Sequence, residues 1–147
     1  MTSTECCEVC GYWHDVLNEP CLRTPGRASG RPAKIVSFGF KYGMPADPAR
    51  HTVIDVRGAF RRNPHRIPAL RARNGLDPAV GADILKTLEF NYKWARLQER
   101  IIEAVKGGVT VVYLGCTGGR HRSVYLADRL GRDWQVPVEH RDLNKGG

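Results

Sequence analysis

A chain of 147 residues, 41% hydrophobic and 26% charged, is long enough to bury one core of ordinary domain size. No apolar run approaches the length that crosses a bilayer, which excludes a membrane-spanning helix. The net charge of +8, from 23 Lys and Arg against 15 Asp and Glu, favours polyanionic partners through counterion release but does not say which polyanion.

In chain order, the first feature is a cysteine cluster. Four of the five cysteines, Cys6, Cys7, Cys10 and Cys21, fall within residues 1–21. The opening MTSTECCEVC has neither a basic n-region nor an apolar h-region, so the cytoplasm is the expected compartment. There, clustered cysteines hold metal more often than they form disulfides. Cys7-x2-Cys10-Gly11 is a tight turn that aims two thiolates at one ion, and His14 and Cys21 complete a tetrahedral set. The expectation is a small structural zinc knuckle, with Cys6 able to replace Cys7. Reduced thiols on a tail, or a disulfide in an exported protein, are the alternatives. Residues 22–33, LRTPGRASGRPA, read as a linker, which leaves 34–147 as the main domain.

Lys34 to Phe40 alternates like a strand and runs into Lys41, and His51 to Val56 is a second strand candidate ending at Asp55-Val56-Arg57. Ligands of open α/β sheets sit outside the carboxyl ends of the strands, so Lys41, Asp55 and Arg57 are expected at one crevice. The bland alternatives are a cap or ion pair for Asp55 and a solvated charge for Lys41. From Arg57 to Arg73 there are six arginines, His65 and no acid, with Pro64 and Pro68 excluding a long helix. Such a segment can follow a nucleic-acid backbone, through Arg61, Arg62 and Arg66, or close over a small anion. Asp77-Pro78 has the form of a helix start, and Ile84, Leu88, Leu97, Ile101 and Val105 predict one long helix that stops at Gly107-Gly108. Phe90, Tyr92 and Trp94 are expected in the core or an interface.

Val109 to Leu126, VTVVYLGCTGGRHRSVYL, is the stretch with the most chemistry. A charge-free, β-branched run predicts a strand buried on both faces, and Arg122 to Trp134 predicts a helix. Between them lies Cys116-Thr117-Gly118-Gly119-Arg120-His121-Arg122-Ser123. Amides at the start of a helix lack intrahelical partners and carry the positive end of its dipole, so this order of elements forms an anion site, with Arg122 adding a planar fork. The alternative is an ordinary strand-to-helix turn around an inert, buried Cys116. Val136 to Leu143 predicts a short last strand. Strands alternating with helices imply an α/β fold, a predominantly parallel sheet flanked by helices. No Walker Gly-x4-Gly-Lys-Ser/Thr is present, so P-loop ATP hydrolysis is not indicated.

SFGFKYG at 37–43, DVR at 55–57, NPH at 63–65, GLD at 75–77, GCTGGRHRSVYLA at 115–127 and HRDL at 140–143 together resemble the C-terminal domain of the RNase adaptor protein RapZ family. The resemblance runs in order over residues 34 to about 145. It implies a domain similar to part of phosphofructokinase, which binds glucosamine-6-phosphate and also a small RNA that it presents to a ribonuclease. It also implies that the sugar phosphate meets His65, Thr117, Gly118 and Arg122. The chain departs from the family in carrying the Cys-rich head where the family has a Walker-bearing domain. It ends in Asn144-Lys145-Gly146-Gly147 where the family has a basic tail.

Two hypotheses follow. In the first, a non-catalytic module holds a phosphorylated small molecule with Lys41, His65, Thr117, Gly118, Gly119, His121, Arg122 and Ser123. In the second, a Cys-x5-Arg phosphatase uses Cys116 as nucleophile, Arg122 as phosphoryl clamp, Ser123 to assist the thiolate and Asp55 or Asp77 as general acid. No membrane partner is expected, and a homo-oligomer is left open.

Overall fold

The computed structural model describes residues 4–6, 13–15, 30–46 and 51–145. Two short strands, β1 (Thr4–Cys6) and β2 (Trp13–Asp15), pair antiparallel. Of the expected zinc ligands, Cys7, Cys10 and Cys21 lie outside the described residues, and His14 is described only as a backbone position within β2.

The main domain is a four-stranded parallel sheet in the order β4-β5-β3-β6, built from β3 (Lys34–Gly39), β4 (His51–Asp55), β5 (Val111–Cys116) and β6 (Val138–His140). β5 pairs with both β3 and β4 and has no exposed residue on either face, and a strand covered on both faces lacks the polar alternation of a half-exposed one. The register sets Gly39 beside Cys116, so the two inner strands end together. β6 is shorter than the 136–143 expected. Its ladder ends where the Arg141 amide donates to the Ser37 carbonyl at 3.0 Å, and the chain then turns to bury Asp142.

Helices α1 (Pro68–Arg71), α2 (Pro78–Ile84), α3 (Phe90–Lys106) and α4 (Arg122–Trp134) complete the domain. The arginine-rich segment is looped as expected, apart from a 3-10 turn at Pro64–Arg66 and the single turn of α1. The one long helix expected from Asp77 is two. Asp77 caps α2 by accepting the Ala79 amide at 2.8 Å, but the helix closes after Ile84, where the Thr87 hydroxyl donates to the Ile84 carbonyl. Glu89 then takes a left-handed conformation, φ 57, and α3 begins afresh. Leu88 is thereby 78% exposed, outside the apolar stripe to which its spacing assigned it. α3 buries Phe90, Trp94, Leu97, Ile101 and Val105, an i, i+3/i+4 face, while Tyr92 points outward. α4 crosses β3, β5 and β6, and these faces close on one core that includes Ile35, Ile54, Val112, Leu114, Leu126 and Leu130. Among the described residues no helix is long and apolar enough to cross a membrane.

Candidate functional site

The site is built where β5 ends. Cys116 closes the strand, Thr117 to His121 form the turn, and α4 begins at Arg122. The turn is clamped to the end of β3 by glycine. A Cβ on Gly39 would lie 2.4 Å from the Gly118 carbonyl carbon, and one on Gly119, at φ +68, would lie 2.5 Å from the Gly39 nitrogen. The Lys41 amide donates to the Thr117 carbonyl at 3.1 Å and fixes the neighbouring loop. Among the described residues, the amides of Thr117 through Ser123 hydrogen-bond to no protein acceptor. They are the orphan donors expected at a helix start.

Arg122 is 6% exposed, and its Nη1 donates to the Phe60 carbonyl at 3.1 Å, its one hydrogen bond among the described residues. Burial pushes its pKa down, because desolvation disfavours the charge, and the neighbouring Cys116, Arg57, Asp55 and Arg66 add smaller effects. Cys116 Sγ and Ser123 Oγ are 3.2 Å apart.

A pocket of ≈ 150 Å³ opens over this turn. Of the residues expected at a ligand site, Lys41, His65, Thr117, Gly118, His121 and Arg122 line it, as does Cys116. Gly119 and Ser123 are buried behind the lining and shape it. Asp55 and Asp77 stand elsewhere. Arg57 donates to Asp55 at 2.8 and 2.9 Å and lowers its pKa, while Asp77 caps α2 and meets Arg73. Neither lines the pocket. Arg61, Arg62 and Arg66 line a separate groove with Lys86 and Lys93, which meets the pocket at Asn63. In it, Arg62 donates to the buried Asp83 carboxylate through Nε at 3.2 Å and Nη2 at 2.5 Å.

Sequence reasoning missed Tyr42, Asn63, Arg120 and Lys145 in the lining. Lys145 comes in through Asp142, a fully buried carboxylate that accepts from the Gly39 amide at 2.8 Å, Arg141 Nη2 at 2.8 Å and Lys145 Nζ at 2.9 Å. Burial works to raise the Asp142 pKa, but these bonds outweigh it and the net shift is downward. Arg141 Nη2 also reaches the Gly43 carbonyl at 2.8 Å, so one turn ties the last strand to the β3 loop. The only sequence signal was HRDL, whose acid had no assigned work.

Fold and site together define an α/β domain with a cation-lined pocket at the carboxyl ends of two parallel strands. The chain belongs to the RapZ C-terminal domain family, whose model it matches over residues 32–144. Among similar proteins are three called nucleotide-binding proteins. That of Limosilactobacillus fermentum is 38% identical over 83% of this chain and 45% of its own length. The Thermus thermophilus protein is 39% identical over 89% of this chain and 50% of its own length. The Acidiphilium cryptum protein is 40% identical over 78% of this chain and 40% of its own length. The chain thus spans about half, or less, of the curated relatives it matches.

Proposed function

We propose that this domain binds a phosphorylated small molecule, with the phosphate held by the amides between Thr117 and Ser123 and by the Arg122 guanidinium. The observation that supports this best is the lining itself. It holds Lys41, Arg120, Arg122 and Lys145 and, among the described residues, no carboxylate. A buried guanidinium without an acid partner is costly until an anion arrives, and orphan amides at a helix start are ready donors for it.

Membership of the family favours an amino-sugar phosphate of the glucosamine-6-phosphate type, since His65, Thr117, Gly118 and Arg122 all face the pocket. The relatives' name, nucleotide-binding protein, fits the broader class of phosphorylated ligands. The adjoining groove, with Arg61, Arg62, Arg66, Lys86 and Lys93, suits an RNA backbone and, through RNA, a ribonuclease partner. Zinc in the Cys-rich head belongs with these proposals; elemental analysis of the whole chain is expected to find one zinc, and finding none discards it.

Thermal shift with glucosamine-6-phosphate tests the pocket, because a ligand that binds only the folded state raises stability. Stabilisation that survives Cys116→Ser and disappears in Arg122→Ala is expected. The second reading, a phosphatase, is favoured by the contact between Cys116 and Ser123, but neither of its candidate general acids, Asp55 and Asp77, lines the pocket. Hydrolysis of p-nitrophenyl phosphate that is abolished by Cys116→Ser would overturn the binding-module reading.

A further inference from the structure

His121 precedes α4, lines the pocket and is only 6% exposed. Its Nε2 is buried and has no hydrogen-bond partner among the described residues. Buried polar atoms are nearly always paired, so an orphan in a pocket wall marks a place where a ligand completes the set. Burial holds the ring toward its neutral form, which offers one N–H and one lone pair. The carbonyls of Arg73, Leu70 and Arg71 lie near enough to favour a proton on the ring, though none is in hydrogen-bond geometry with Nε2. They compete for the N–H and leave the lone pair as the ring's free capacity.

Apart from the Tyr42 and Thr117 hydroxyls, the side chains of the rest of the lining offer little to a donor. Lys41, Arg120, Arg122 and Lys145 only donate, and Asn63 Oδ1 already accepts from the His65 amide at 3.1 Å. A phosphate ester satisfies those donors with its phosphate, yet its carbon skeleton brings hydroxyls or an amine that need acceptors of their own. His65, 6.3 Å away between ring centroids, is exposed and can be satisfied by water, so it gains less from such a contact than the buried ring does.

We propose that His121 accepts a hydrogen bond from a hydroxyl or amine on the skeleton of the phosphorylated ligand, and so separates a sugar phosphate from bare phosphate. This rests on the phosphate-pocket reading above. Calorimetric titration of the whole chain with inorganic phosphate, glucose-6-phosphate and glucosamine-6-phosphate tests it in wild type, His121→Ala and His121→Gln. His121→Ala is expected to bind inorganic phosphate as wild type does and to bind one or both sugar phosphates ~10-fold more weakly. A loss confined to glucosamine-6-phosphate assigns the donor to the amine, and a loss shared by both assigns it to a hydroxyl. His121→Gln keeps an acceptor oxygen and is expected to recover part of the loss; it decides the question if His121→Ala fails to fold by circular dichroism. Equal weakening of all three ligands, or of none, overturns the role. Failure of the wild type to bind any of the three removes the pocket reading first, and this role with it.

Discussion

At the scale of single residues, the glycines of the turn separate folding from binding. Gly119→Ala places a Cβ at 2.5 Å from backbone in a left-handed conformation, and is expected to cost roughly 3 kcal/mol in urea unfolding. Gly118 has nothing within 4 Å of its Cβ position, so Gly118→Ala is expected to fold within about 0.5 kcal/mol of wild type while narrowing the pocket it lines. Equal destabilisation by both substitutions would show that the turn does not have this geometry. Asp142→Asn removes a buried charge that three donors share and is expected to cost about 2 kcal/mol, measured the same way. An unchanged midpoint would mean that Asp142 does not tie the last turn to β3. The turn was legible in the sequence because its chemistry is local: Cys116, two glycines and Arg122 fall within one strand-to-helix connection. Asp142 was not, because its partner Gly39 is 103 residues away and only the sheet order brings them together.

At the scale of elements, the parallel strands and α4 could be read from apolar runs and helical spacing, and they stand within a few residues of expectation. The break between α2 and α3 could not. Leu88 keeps the helical period of its neighbours, and only the left-handed Glu89 and the Thr87 bond to Ile84 reveal that the chain turns there. The break matters for the site's surroundings, because Lys86, Thr87 and Leu88 form one wall of the cationic groove and Lys93, on α3, joins them. The RNA binding proposed for that groove is expected to weaken steeply with salt. Neutralising Arg61, Arg62 and Arg66 together is expected to reduce the slope of log affinity against log salt by roughly 3. Filter binding across a salt series measures it, and an unaltered slope would move any RNA contact elsewhere.

At the scale of the whole molecule, ionisable groups shifted by burial or by an ion pair give stability a defined response to acid. His121 and His140 are both lowered from 6.5 by burial, so the unfolded chain binds protons that the folded chain refuses. Stability is then fully present above 6.5 and declines as pH falls below it toward the lowered folded values. Asp55, lowered by the bonds from Arg57, and Asp142, lowered despite its burial, make a second contribution. It is present above 3.8 and lost as pH falls further, through their lowered values. Melting temperature against pH is expected to drop in these two stages, and a flat profile between pH 7 and pH 5 would contradict the burial of neutral imidazoles. The overall α/β class followed from the alternation of strands and helices, and Lys41, His65 and Arg122 were expected at one ligand site, whereas Lys145 required the sheet order to bring the end of the chain beside them. The most direct test of that pocket is calorimetric titration of glucosamine-6-phosphate into wild type and Arg122→Ala, with circular dichroism showing that both are folded. Saturable binding that falls roughly 100-fold on loss of the guanidinium is predicted. Equal binding by the two proteins, or no binding of any phosphorylated ligand by the wild type, would contradict a phosphate seat between Cys116 and Ser123.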